Sequence, residues 1–273
     1  MKILVAEGYA DERIRILPPE LLEAVSAKGT WEKYSAIHGG ALANLARRRE
    51  EEVLAVVGML DEALKRKKAI VVAYPPRGIG YDSGRGGYLN AVAYLAHELG
   101  AAVISLDVHF PWGTWDLHVR LGFPFVAIYS GAEGPPPGKL ARKSDKIVAV
   151  PLPPGASDRS IIPALKLIER LGGIPLVLEV GLDLYRLEPL GYFFATTNAY
   201  YEAGKLVEGG GYIVLDCVSS KSINALRALL SGAEGGDNPS PEEPQEENTA
   251  VRREVDKVLR KAGERILKIV KSN

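Results

Sequence analysis

The chain has 273 residues, 34 basic and 34 acidic side chains, and one cysteine, Cys217. Balanced charge gives no global pointer to nucleic-acid or anionic-membrane binding, and one cysteine excludes an internal disulfide framework and fits a reducing cytoplasm. The opening MKILVAEGYADE becomes charged too soon for a secretion signal or a bilayer span.

The length suits one large domain with an appendage. Glutamine is nearly absent while Glu, Lys and Arg abound, which leans toward a thermophile. Residues 2–6 (KILVA) read as a strand, and Pro18-Pro19-Glu20 opens a helix, because proline suits a first turn. Helical segments follow at 35–48 and 50–66. The second carries Val53, Val56, Val57, Leu60 and Leu64 on one stripe, with Lys65–Lys68 as a solvated helix end. AIVVAY (69–74) reads as a buried strand, and residues 88–99 as a helix that Gly100 ends. Strand 102–107, a helix from 114, strands 125–129 and 146–150, helix 158–171, strand 175–180, helix 197–207, strand 211–216 and helix 220–231 complete the pattern. Apolar strands alternating with helices predict an α/β domain of three layers, a mainly parallel sheet with helices on both faces, over residues 1–231.

Composition then changes. GAEGGDNPSPEEPQEEN, within 232–249, is acidic and has no burial stripe, so it reads as a flexible linker. Residues 250–273 read as an amphipathic helix with Val251, Val255, Val258, Ala262, Ile266 and Ile269 on its apolar face. That face predicts docking on the chain's own domain or formation of a homo-oligomer, ahead of a membrane-surface or nucleic-acid role for the helix's basic polar face.

In open parallel sheets, ligands bind beyond the carboxyl ends of the strands. Four segments end there: PPRGIGYDSGRGG, DVHFPWG, GLDLYRLEP and CVSSKS. Asp107 and His109 lie two apart where a strand meets a loop, so they share a side and could form half of a divalent-metal site. Loop backbone satisfying a polar strand end is the alternative. The glycines of GIGYDSGRGG follow a strand, but no Lys-Ser/Thr ends the loop, which argues against a Walker-type phosphate site. Ser219-Ser220-Lys221 suits a helix cap better than a nucleophile, and Cys217 reads as a small buried residue. Trp112 and Trp115 suit a pocket mouth and core packing equally.

DVHFPWGTWDL resembles the signature of the histone deacetylase family and its acetylpolyamine-hydrolysing relatives, with Gly113, Thr114 and Asp116 at the later signature positions. VVAYPP (71–76), GGYLNAVAYLA (86–96), VPLPPG (150–155) and LEVGLDLYRLEPLG (178–191) are similar to further segments of that family, in the same order, across residues 37–230. The resemblance implies an arginase/deacetylase-like fold and zinc-assisted amide hydrolysis, in which a histidine pair moves protons and a tyrosine steadies the oxyanion.

Carried over residue by residue, the resemblance makes Asp107, His109 and Glu188 the metal ligands. Glu188 stands where the family has aspartate, and Asp183 matches a position the family does not use for ligation. Gly78, Ile79, Asp82, Arg85, Gly87, Tyr88 and Ser219 would line the ligand pocket. The histidine pair is missing, since Arg77-Gly78-Ile79 stands in its place. The tyrosine is missing, since Cys217-Val218-Ser219 aligns with it, and Gly86 replaces the aromatic residue of the acyl tunnel. Asp82 as a substitute base competes with an Asp that caps a turn, and Arg85 as an anion contact competes with a surface arginine. The expectation is therefore a degenerate, non-catalytic or repurposed binding protein whose ligand is a small acylated amine or acetyl-lysine group. The pocket either holds zinc or is metal-free. The alternatives are a zinc-dependent deacylase with a rearranged acid/base and an assembly protein without a ligand.

Overall fold

The computed structural model describes residues 1–8, 14–39, 41–72 and 89–272. Its centre is an eight-stranded sheet in the order β2-β1-β3-β8-β7-β4-β5-β6. The strands are β1 (Ile3–Ala6), β2 (Leu22–Val25), β3 (Lys68–Val71), β4 (Ala102–Leu106), β5 (Phe125–Ser130), β6 (Ile147–Leu152), β7 (Leu176–Gly181) and β8 (Gly211–Asp216). Every pairing is parallel. Parallel strands need crossovers and are covered on both faces, which explains why β4 and β5 are buried at every residue.

The helices are α1 (Trp31–Ile37), α2 (Ala41–Arg47), α3 (Glu50–Leu64), α4 (Ala91–Leu99), α5 (Trp112–Leu121), α6 (Pro137–Ala141), α7 (Asp158–Ile168), α8 (Thr197–Lys205), α9 (Ile223–Glu234) and α10 (Thr249–Ser272). Helices α1, α3, α4 and α5 pack against one another in one layer, and α7, α8, α9 and α10 build a second. Helices α8 and α9 approach so closely that a Cβ on Gly204 would stand 2.1 Å from the Leu229 carbonyl oxygen, and one on Gly232 would stand 2.1 Å from that of Tyr201. Among the described residues, no helix is long and apolar enough to cross a membrane.

Three local expectations change. Pro19–Leu21 is one 3-10 turn, after which Leu22 turns extended and pairs with Ile3, so the expected helix gives way to edge strand β2. Pairing along β1 outweighs the local proline signal. The helix expected over 35–48 is two, α1 and α2, with His38 as the extended C-cap of the first. The short helix α6 was not foreseen.

The acidic segment expected to be a flexible linker is a strap. Glu242 accepts hydrogen bonds from the Thr197 N–H at 3.2 Å and the Tyr185 hydroxyl at 2.7 Å. Glu247 accepts from the Ser157 N–H at 2.7 Å. Thr196 and Ser157 cap the N-termini of α8 and α7, so the strap's carboxylates sit where unpaired N–H groups and the helix dipoles favour negative charge. Helix α10 then lies across α7 and β6, burying Val251, Val255, Ala262, Ile266 and Ile269. Arg265 donates to the carbonyls of Ile147 at 2.8 Å and Ser144 at 2.7 Å, which covers part of the β6 edge. The apolar face that could have joined a second copy is used within the chain.

Candidate metal centre

Strands β8, β7 and β4 are neighbours, so the residues beyond their carboxyl ends meet above the sheet centre. Asp107 follows β4 directly and is 5% exposed. Its Oδ1 accepts from the His109 N–H at 2.7 Å, which turns the chain sharply off the strand. Phe110, buried against Tyr129 with ring centres 5.0 Å apart, anchors the turn from the other side. Trp115 is buried beside it, so that tryptophan serves the core.

The His109 ring lies half-exposed above the strand ends, with Nδ1 3.2 Å from Asp107 Oδ1 and 3.3 Å from Asp183 Oδ2. Asp183 comes from the 3-10 turn Leu182–Leu184 that follows β7, and its Oδ1 accepts from the Val108 N–H at 3.3 Å. Its Oδ2 is buried and has no hydrogen-bond partner, since the imidazole approaches it off the bonding line. Gly181 makes this approach sterically allowed. A Cβ there would stand 2.1 Å from Asp107 Oδ2 and 2.7 Å from Asp183 Oδ1. The ligand atoms of Asp107, His109 and Asp183 lie within 4.8 Å of one another. A second set, Asp107, Asp216 and Cys217, meets the same limit from the β8 side.

Electrostatics follow from this crowding. Burial, and then the Asp183 charge, push the Asp107 carboxyl up to about 8. The hydrogen bond to Asp107 and the Asp183 carboxylate beside it raise His109 to about 10. Both shifts have one meaning: several carboxylates share too little positive charge, and the cluster retains a proton that a cation would displace. Below it, Glu179 is buried and pushed well up by that burial, with Asn90 donating to Thr114 at 3.0 Å and Thr114 facing the Glu179 carboxyl at 3.5 Å. One imidazole and two carboxylates are zinc-type donors, and the unpartnered Asp183 Oδ2 is the place a cation would satisfy. These residues fit a divalent metal.

Asp107 and His109 therefore meet as the sequence suggests, whereas Glu188 stands apart from both groups. Its N–H donates to the Tyr185 carbonyl at 2.8 Å, and its carboxylate accepts the Ser219 hydroxyl. Glu188 lies seven residues past the end of β7, beyond the turn that delivers Asp183. Ser219 caps the 3-10 turn Ser220–Ser222 in a reciprocal capping box with Ser222. Gly78, Ile79, Asp82, Arg85, Gly87 and Tyr88 lie outside the described residues.

Asp183, Asp216 and Tyr200 are additions. Asp183 lies in the 3-10 turn after β7, where strand alternation no longer applies, so it carried no such signal, whereas Asp216 is the last residue of an apolar run and did. Tyr200 carried none. It is buried in α8 and its hydroxyl donates to the Gly181 carbonyl at 3.2 Å, so it braces the strand end. All four histidines are described: His38 and His118 are buried in other parts of the fold, His97 is exposed on α4, and only His109 reaches the cluster.

No family model and no curated protein matches the chain. Among solved structures, the crystal structure of the HDA15 HD domain, a histone deacetylase domain, matches with a TM-score of 0.72 over 100% of this chain and 99% of that one, at 14% identity. The likeness establishes the deacetylase-type α/β fold and, at this identity, the fold alone.

Proposed function

We propose that this chain is a deacetylase-fold protein that holds a divalent cation of the zinc class at Asp107, His109 and Asp183 and uses the site to bind a ligand without hydrolysing it. The ligand class is a small acylated amine or acetyl-lysine group, whose carbonyl oxygen a cation would grip. One observation carries the reading: a cation-ready cluster has a single imidazole, and that imidazole faces the cation. General acid–base groups supply roughly 10²–10⁴ in rate and one oxyanion donor about 10²–10³. Among the described residues neither a second imidazole nor an oxyanion donor stands beside the cluster, and a metal lacking both is a weak amidase.

Tyr200 does not repair this, because its hydroxyl is buried and committed to Gly181. A second reading, a zinc-dependent deacylase, is favoured by the Glu188–Ser219 hydrogen bond, since that carboxylate could carry a proton in place of the missing histidines. Incubating zinc-loaded protein with acetyl-lysine peptides and acetylated polyamines separates the two. The first reading predicts no release of acetate above buffer, together with peptide binding that Asp107→Ala abolishes. Acetate release that disappears with Asp107→Ala overturns it.

A further inference from the structure

Strand β6 ends the sheet, so β5 is its single strand neighbour. The Phe125 N–H donates to the Lys146 carbonyl at 2.9 Å, and the Gly131 N–H to the Leu152 carbonyl at 2.8 Å. Successive residues of a strand turn their backbone groups to alternate sides. Even-numbered residues of β6 therefore face β5, while Ile147, Ala149 and Pro151 face outward. Arg265 already holds the Ile147 carbonyl, and Pro151 has no N–H. Ala149 presents both a donor and an acceptor, and among the described residues neither has a partner. These groups open into a groove of about 870 Å³ between α10 and residues 131–141, lined largely by prolines, glycines and alanines. Such a lining is rigid and lets another backbone come close. Helix α10 runs antiparallel to β6 along one wall: Arg265 sits at Ile147, and a Cβ on Gly155 would stand 3.5 Å from Val251. On that wall Lys257 and Lys261 are exposed, one helical turn apart, and among the described residues neither has an ion-pair partner. Glu254 is the one carboxylate among the described residues that line the groove.

We propose that this groove binds an extended peptide of a partner protein, added to the sheet beside β6, in which acidic and apolar residues alternate. Four helical residues rise about 6 Å, and two strand residues span about 6.6 Å. Carboxylates two apart on a strand therefore match Lys257 and Lys261, four apart on a helix. The apolar side chain between them turns to the other side, toward the proline-rich segment that faces α10. Main-chain bonds to Ala149 fix the register, and the ion pairs fix the orientation. Blocking by Arg265 and Pro151 at either side confines the added strand to that register. Charge argues against a second copy of this chain, which would bring the same lysines against these. A fatty acid would satisfy the lysines and leave the Ala149 groups unpaired. The groove lies two strands from β4, so the proposal stands apart from the cation reading.

The test measures fluorescence anisotropy of three labelled peptides with the full chain. Their cores are Glu-Val-Glu-Val, Lys-Val-Lys-Val and the reordered Glu-Glu-Val-Val. The parent is compared with a double variant, Lys257→Glu with Lys261→Glu, and with Ala149→Pro, which removes an N–H that β5 does not use. Circular dichroism checks that each variant folds. The parent should bind Glu-Val-Glu-Val about tenfold or more tighter than either other peptide, and added salt should weaken it. The double variant should prefer Lys-Val-Lys-Val instead. Ala149→Pro should lose about tenfold in affinity while keeping the parent's preference. Should Ala149→Pro not fold, the charge reversal decides alone, since both lysines are exposed. No binding of Glu-Val-Glu-Val to the parent, equal binding of the reordered peptide, or an unchanged preference in the double variant overturns the proposal. So does oleate binding that excludes the peptide, or a dimer in sedimentation that the charge reversal disrupts.

Discussion

His38 and His118 show what a buried imidazole does in this fold when it is not at the cluster. His38 lies between the Tyr34 carbonyl, 3.3 Å from Nδ1, and the Asn90 N–H, which donates to Nε2 at 2.7 Å. His118 has Nδ1 2.6 Å from the Phe123 carbonyl and Nε2 2.7 Å from the Ser144 hydroxyl. Burial lowers each to about 4. Between about pH 6.5 and 4 the unfolded chain therefore binds protons that the folded one refuses. Stability is full above that window and falls as pH drops through it, by about 1.4 kcal/mol per pH unit for each histidine. Urea denaturation of His38→Gln and His118→Gln between pH 6.5 and 4.5 should show each substitution flattening that slope by one proton's share. Taking the difference from the parent cancels the opposite contribution of Asp107, and slopes equal to the parent's would contradict the assignment. At this scale the site was half legible. Alternation along a strand makes Asp107 and His109 readable, but Asp183 competes with Glu188 in one short loop. Only the 3-10 turn after Gly181, a matter of three-dimensional path, decides which carboxylate arrives.

Helix α10 was legible as an element and its docking place was not. Its apolar stripe follows from spacing alone, whereas the groove it fills is formed by α7 and the edge strand β6, about a hundred residues earlier in the chain. The strap was misread for a related reason. Acidic, proline-containing composition signals disorder only while the carboxylates have no partners, and here Glu242 and Glu247 find the N-termini of α8 and α7. Ile266 is 1% exposed at the centre of the α10 contact. Ile266→Ala should lower unfolding stability by about 2–5 kcal/mol, read from chemical denaturation, with secondary structure retained. A loss below about 0.5 kcal/mol, the range of ordinary surface changes, would mean that α10 does not dock as described.

Over the whole molecule, the parallel sheet and its helical layers were legible because the central strands are mostly apolar, with Ser105 in β4 and Glu179 in β7 as exceptions, and most are separated from the next by a readable helix. Edge strand β2 escaped, since four residues with two prolines nearby carry little pattern of their own. Strand order was not encoded locally, yet it makes the site: placing β8, β7 and β4 side by side gathers Asp216, Asp183 and Asp107 from three distant segments. Burying that much like charge is unfavourable unless a cation completes it. The most direct test is elemental analysis of purified protein, stripped with chelator and reloaded with zinc, beside Asp107→Ala treated identically. The parent should carry stoichiometric zinc and the variant none. A parent that returns metal-free, or a variant that binds as much as the parent, would contradict the account.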